Sequence, residues 1–173
     1  MTGQRSGFDV GLRSESNLHV RALRREDRAP IEALLRASAN FTPDEVATAL
    51  EVIDETLAGD PEYIATVVED ESGAVAGYEC HGPTPLTQGT FDLYWIAVNP
   101  GAQKRGYGRL LLRGAEEDVA RRGGRLLLIE TSSQESYDAT IRFYKRAGYR
   151  LEARIADFYK PGDDKLIFAK NVS

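Results

Sequence analysis

The 173 residues include only two histidines, one cysteine, one methionine and one tryptophan, and this scarcity excludes several chemistries. A lone cysteine, Cys80, forbids an internal disulfide and fits a reducing compartment. Cys80 and His81 are neighbours, so on a strand they point to opposite faces and cannot pair as nucleophile and base. His19 is the other histidine, and no zinc-ligand spacing can be built from this set, so no metal is expected. Long apolar runs are also missing. The opening MTGQRSGFDVGLRSESN has none suited to a signal peptide, and no later stretch nears the ~20 residues needed to cross a bilayer. The expectation is a cytoplasmic protein with no membrane partner. A net charge of −5 and a pI near 5.2 lack the basic footprint of nucleic-acid binding, so no nucleic-acid partner is expected either.

With 42 % apolar and 28 % charged residues the chain has ordinary globular composition. A chain of this length buries roughly 70 % of its unfolded surface, enough for one core without staples. The expected organisation is a loose leader over 1–17 and a single domain over 18–173. Leu18 to Leu23 alternates as a strand, and Asp27 is placed to cap a helix with the stripe Ile31, Leu34, Leu35. Thr42-Pro43-Asp44-Glu45 has capping-box spacing with proline in the first turn, and opens a helix with the face Val46, Leu50, Ile53, Leu57 that ends at Gly59. Tyr63 to Val68 and Ala74 to Cys80 read as a hairpin around Glu69 to Gly73, followed by a Gly82-Pro83-Thr84-Pro85 loop.

FDLYWIAVNP is the most β-prone segment, and Pro100 stops it. A helix from Gly106 to Arg122 follows, with Tyr107, Leu111, Ala115 and Val119 on one face and Arg109, Arg113 and Glu116 turned away. Arg125 to Glu130 has the pattern of a strand buried on both faces. Ser136 to Arg146 is a helix closed by Gly148, and two last strands flank Lys160 to Asp164. The sum is a mixed α/β (α+β) sheet of about seven strands with about four helices on both faces.

The chemistry concentrates between strand and helix at Val98-Asn99-Pro100-Gly101-Ala102-Gln103-Lys104-Arg105-Gly106-Tyr107-Gly108-Arg109. Residues 103 to 125 hold seven Lys or Arg against three acids. The later arginines suit a solvated helix face, but Lys104, Arg105 and Arg109 flank glycines. Glycine lets backbone N–H groups turn inward, and a helix N-terminus adds unpaired donors, so the junction suits a pyrophosphate. Two common phosphate loops fail on spacing. Leu111 stands where a dinucleotide fingerprint needs its third glycine. Tyr107 and Gly108 replace the Lys and Ser or Thr of a nucleotide-triphosphate loop. A plain turn and helix start remains the bland alternative.

Gln103-Lys104-Arg105-Gly106-Tyr107-Gly108, with WIAVNP before it and RFYKRAGY after it, resembles the GNAT superfamily of N-acetyltransferases, whose coenzyme A loop has the form Q/R-x-x-G-x-G/A. The resemblance spans 18–171, is specific over 91–149, and is similar in branch to the ribosomal-protein N-terminal acetyltransferases. It implies acetyl-CoA as co-substrate, with pantetheine on the backbone of Ile96 and Val98 and pyrophosphate on Gln103, Lys104, Arg105, Gly106, Tyr107, Gly108 and Arg109. It also implies that Tyr144, in the F/L-Y-x-x-x-G-F/Y element, stands near the sulfur. Many members carry asparagine seven residues before that tyrosine. Here the residue is Tyr137.

An amine acceptor with a pKa near 10.4 must lose a proton before it attacks, and the leaving thiolate gains from an acid. Tyr144 is the candidate acid, against the alternative of a core tyrosine. Glu130, ending LLLIE, is the candidate base, against a loop-capping role, with Glu79, Asp92 and Tyr94 as substitutes. An unpaired acid at that strand end would be costly, so a function or a specific partner is expected. Acids and aromatics near the entrance, among them Phe41, Tyr94, Trp95 and Asp157-Phe158-Tyr159, point to a small amine or amino-acid-like acceptor, with Phe41 and Trp95 also fitting a plain core role. A peptide N-terminal acetyltransferase and a non-catalytic coenzyme A-binding module are the alternatives, and a homodimer is compatible with the sequence.

Overall fold

The structure is a computed structural model that describes residues 20–173; the leader 1–17, Leu18 and His19 lie outside the described residues. One seven-stranded sheet runs through the molecule in the order β1-β2-β3-β4-β5-β7-β6. Its strands are β1 (Val20–Ala22), β2 (Ile64–Glu69), β3 (Val75–Pro83), β4 (Thr90–Val98), β5 (Leu126–Ser132), β6 (Arg150–Lys160) and β7 (Asp163–Asn171). The helices are α1 (Arg28–Ala37), α2 (Pro43–Ala58), α3 (Tyr107–Arg121) and α4 (Asp138–Arg146). All neighbours are antiparallel except β4 and β5. That parallel pair is joined by a crossover through α3, the connection such strands require.

Each face of the sheet has its own core. Ile31, Leu34 and Leu35 of α1 and Val46, Leu50 and Ile53 of α2 pack on Val67, Tyr78, Cys80 and Ala97. On the other face Leu112, Ala115 and Val119 of α3 join Tyr144 of α4, Leu93, Leu127, Ile129 and Phe168. The α2 boundaries follow local rules. Thr42 accepts from the Glu45 N–H at 3.2 Å while the Glu45 carboxylate accepts from the Thr42 N–H at 2.8 Å, and Gly59 ends the helix at φ 90°.

Several sequence expectations need correction. Asp27 precedes α1, but its carboxylate accepts from the Arg24 N–H at 2.7 Å and from Arg21 at 2.7 and 2.8 Å, not from the helix. Gly82 and Pro83 belong to β3 and not to a loop. The fourth helix starts at Asp138, after a 3₁₀ turn over Glu135–Tyr137. Glu116 is not turned away: it accepts from Lys170 at 2.7 Å and ties α3 to β7. β5 is buried on one face only, through Leu127, Ile129 and Thr131, because α1 and α2 cover β2 to β4 and stop short of it.

The register of β3 and β4 contains the feature that matters most. Cys80 pairs with Trp95 but His81 pairs with Leu93, so Tyr94 is an extra residue, a β-bulge. The bulge breaks the alternation of β4. Leu93 and Ile96 face α3, while Tyr94 and Trp95 both face the α1/α2 side, Tyr94 against Tyr63 at 5.6 Å and Trp95 against Phe41 at 5.9 Å between ring centroids. Gly82 lets the bulge fit: a Cβ there would lie 2.0 Å from the Glu62 carbonyl oxygen and 3.0 Å from the Tyr94 ring. Gly82→Ala should therefore cost about 2–3 kcal/mol, the upper range for overpacking. Urea unfolding checks this, and a midpoint equal to wild type would show that the β2–β3 approach is soft.

Candidate active site

The central cleft forms where β4 and β5 part. They pair over four residues only, from Thr90↔Leu126 to Leu93↔Ile129, and the splay begins at the bulge. Beyond it, β5 runs on against β7 through Glu130, Thr131 and Ser132. Backbone groups of successive strand residues face opposite neighbours. The Asn99 N–H donates to Ala76 of the β3 side at 2.8 Å, so Ala97 and Trp95 share that direction, and the N–H and C=O groups of Ile96 and Val98 face the opening toward β5.

The loop after β4 is a second set of donors. Pro100–Ala102 make a 3₁₀ turn closed by the Asn99 side chain, which accepts from the Gly101 N–H at 3.0 Å. Gln103 is extended and exposed. Lys104 at φ 64° and Gly106 at φ 90° both lie in the left-handed region, where Lys104 carries strain that a glycine would not. This turns the chain into α3, whose first intrahelical bond joins the Leu110 N–H to Gly106. The N–H groups of Tyr107, Gly108 and Arg109 therefore form the open first turn, with its partial positive charge. Tyr107 is buried beneath the loop and Arg105 lies 5.8 Å from its ring centroid. Arg105 also approaches Glu71 of the β2–β3 turn at 3.8 Å, while Arg109 is exposed. Gly108 sits where an added Cβ would be 3.6 Å from both Phe143 and Val98.

Tyr144 is buried in the core cluster that also holds Leu93 and Ile129, the last paired residues of β4 and β5. Its ring packs at 5.4 Å on Phe143 and 6.1 Å on both Tyr149 and Phe168. Burial pushes its phenol well above the ordinary value of 10.0. Glu130 has a specific partner, as expected, but is not buried. It is half-exposed and ion-paired with Lys165 of β7, because its face of β5 is uncovered. Lys165 in turn lies 4.5 Å from the Phe158 ring centroid.

Around this pair gather Tyr137 and Tyr159, whose phenols are raised first by burial and then by nearby carboxylates, Glu45 and Asp163 for both and Glu130 for Tyr159. Tyr137 donates to the Asn40 carbonyl at 2.8 Å, linking the β5–α4 connection to the α1–α2 loop. Asp92 accepts from Thr84 at 2.6 Å, and the Tyr94 phenol is pushed up to about 12, chiefly by burial and then by Asp92. Phe41 and Trp95 are partly buried against the α1/α2 core.

Glu79 is apart from the other candidates. It is fully buried on the α3 face, accepts from Thr66 at 2.6 Å, and lies 2.9 Å from His81 Nδ1. The other ring nitrogen of His81 is 3.2 Å from Asp118 of α3. Sequence reasoning placed Cys80 and His81 on opposite faces, which holds, but it missed this network. Its signal was present: Glu79 and His81 are two apart on a strand and so share a face.

The comparisons agree with this architecture. A model of the acetyltransferase (GNAT) family matches residues 30–149, and the chain belongs to that family. A Desulfovibrio desulfuricans protein assigned to the GNAT family is 41% identical, with 91% of this chain and 100% of that one covered at a TM-score of 0.86. The ribosomal-protein-S18-alanine N-acetyltransferase of Escherichia coli is similar at 20% identity, 90% and 94% coverage and a TM-score of 0.73. Salmonella typhimurium yncA, solved with acetyl-CoA, is similar at 22% identity, 91% and 95% coverage and a TM-score of 0.71. No curated protein sequence matches the chain.

Among the described residues no helix is long and apolar enough to cross a membrane, and no three His, Cys, Asp or Glu side chains gather as metal ligands. The burial of Tyr144 sets an optical expectation. The 295 nm phenolate signal of wild type minus Tyr144→Phe should show no rise near pH 10, the ordinary phenol value. A rise there would mean that the ring is solvated.

Proposed function

We propose that the domain of residues 18–173 transfers the acetyl group of acetyl-CoA directly to the amine of a small, amino-acid-like acceptor in a reducing cytoplasm. The observation that carries this reading is the splay of β4 from β5, which turns the Ile96 and Val98 backbone toward an opening on the side of β5, with the left-handed Lys104–Gly106 loop following the same strand. Acetyl-CoA, when bound, supplies a thioester carbonyl and a thiol leaving group. The residues present fit it: strand donors for an amide-bearing arm, and a left-handed loop with an open helix turn for a pyrophosphate.

In this reading an N–H of the Ile96–Val98 stretch stabilises the negative charge that builds on the carbonyl oxygen as the amine nitrogen attacks. The C–N bond forms, the C–S bond breaks, and the sulfur takes its proton from the Tyr144 phenol. That phenol is held protonated because its anion would be buried. The amine gives up its proton to water or to Glu130, which is exposed enough to exchange with solvent. Tyr144 is then restored from solvent after product leaves. Glu45, Glu130 and Asp163 around Tyr137 and Tyr159 favour an ammonium-bearing acceptor. The Tyr137–Asn40 link between two flanking connections favours a short acceptor over an extended peptide.

Binding should depend more on backbone shape than on loop charge. Gly106→Val forces a branched side chain into φ 90°, and Gly108→Val crowds Phe143 and Val98, so both should weaken coenzyme A affinity more than Lys104→Ala does. Calorimetry on folded protein checks this, and equal affinity in wild type and both valine variants would remove the loop from the site. The activity itself is tested by thiol release across free amines, amino acids and short peptides. Free amines or amino acids should turn over, with kcat reduced by roughly 10- to 10³-fold in Tyr144→Phe. Turnover confined to peptide N-termini would make this a protein-modifying enzyme, and no thiol release with any amine would leave a coenzyme A-binding module.

A further inference from the structure

Beneath the cleft, on the α3 face of the sheet, lies a chain of polar groups that the chemistry above does not use. It runs from Thr66 of β2 through Glu79 and His81 of β3 to Asp118 of α3, where Arg122 donates at 2.5 Å and Arg121 approaches at 3.0 Å. Glu79 and His81 are fully buried, and Asp118 is nearly so. An ionised carboxylate only accepts, so a ring with a carboxylate at each nitrogen donates from both and is an imidazolium. Among the described residues no other charged group pairs with the ring. Phe91 of β4 lies 6.5 Å away, and Cys80 points to the opposite face. Three buried charges are costly against an apolar filling of the same space, and such groups are best attested where they specify a register.

Their placement suits that role. Glu79 is opposite Ile96 and His81 is opposite Leu93, so the two straddle the Tyr94 bulge, while Asp118 brings α3 onto the same spot. We propose that the Glu79–His81–Asp118 bridge locks the β4 bulge and α3 together, making His81 a positioning residue for acyl-CoA binding that does not touch the ligand. This rests on the acetyl-CoA reading above. The lock acts on both halves of that site at once: the strand whose Ile96 and Val98 face the opening, and the helix whose first turn closes the pyrophosphate loop.

The imidazolium is favoured by its two carboxylates over the opposing cost of burial, which leaves the His81 pKa above its ordinary 6.5. The lock is thus complete at or below that value and is lost as pH rises through the higher folded one. The test is coenzyme A affinity by calorimetry across neutral and alkaline pH for wild type, His81→Gln and, should that variant fail to fold, Asp118→Asn. Wild-type affinity should fall as His81 deprotonates. His81→Gln should bind about tenfold more weakly at neutral pH with no such step, and its kcat at saturating acetyl-CoA should stay within about threefold of wild type. Asp118→Asn should move the step to lower pH. Ring resonances of a His19→Gln background, which leaves His81 as the one histidine, locate the titration independently.

Affinity in His81→Gln within about twofold of wild type, or a pH step that persists in it, overturns the positioning role alone. Failure of wild type to bind coenzyme A overturns the proposed activity and the positioning role together.

Discussion

One extra residue in β4 sets the geometry on which the rest depends. Without the Tyr94 bulge the strand would keep strict alternation, and Trp95 and Ile96 would exchange faces. With it, the sheet carries two aromatic rings side by side on the α1/α2 face and still returns Ile96 to the α3 core. The same point ends the parallel ladder with β5, and the open backbone of Ile96 and Val98 follows from that ending. A bulge at a ladder's end re-aims side chains and terminates pairing, and here it does both.

Electrostatics divide between the two faces. On the α3 side, charge is buried, paired and fixed in the Glu79–His81–Asp118 bridge. On the other side, Glu130 is half-exposed and paired with the more buried Lys165, Glu45 is partly exposed, and Asp163 is buried and accepts from Ser132, all among tyrosines. Tyr144 belongs to the core on the α3 side, its proton held by the cost of an anion among Tyr149, Phe143 and Phe168.

The parts legible in the sequence were those written in local code. The capping box at Thr42 and Glu45, the αL glycines 59 and 148, the apolar stripes of α1 to α3 and the loop glycines 106 and 108 all lie where pattern places them. What escaped depends on partners distant in the chain. The bulge is invisible in FDLYWIAV because every residue there is β-prone, and the register is decided by β3. Glu130 looked like a costly buried acid because LLLI precedes it, but burial of that face depended on helices that end over β4. Its partner, Lys165, comes from a strand with no marked pattern. Glu116 was assigned to solvent from its helical position alone, yet Lys170 of β7 reaches it.

The outermost strand, β6, is exposed at all eleven of its positions and contributes no residue to any core. It also carries Phe158 and Tyr159, near the acidic edge of the cleft, on a segment where its pairing with β7 is interrupted between Ile155 and Lys160. Sequence change is tolerated where no packing is disturbed. If the proposed acceptor entrance lies beside Phe158 and Tyr159, the element bordering it is the one whose residues can be exchanged with the least damage to folding, so a lineage could try new acceptors on this strand while the cores stay as they are.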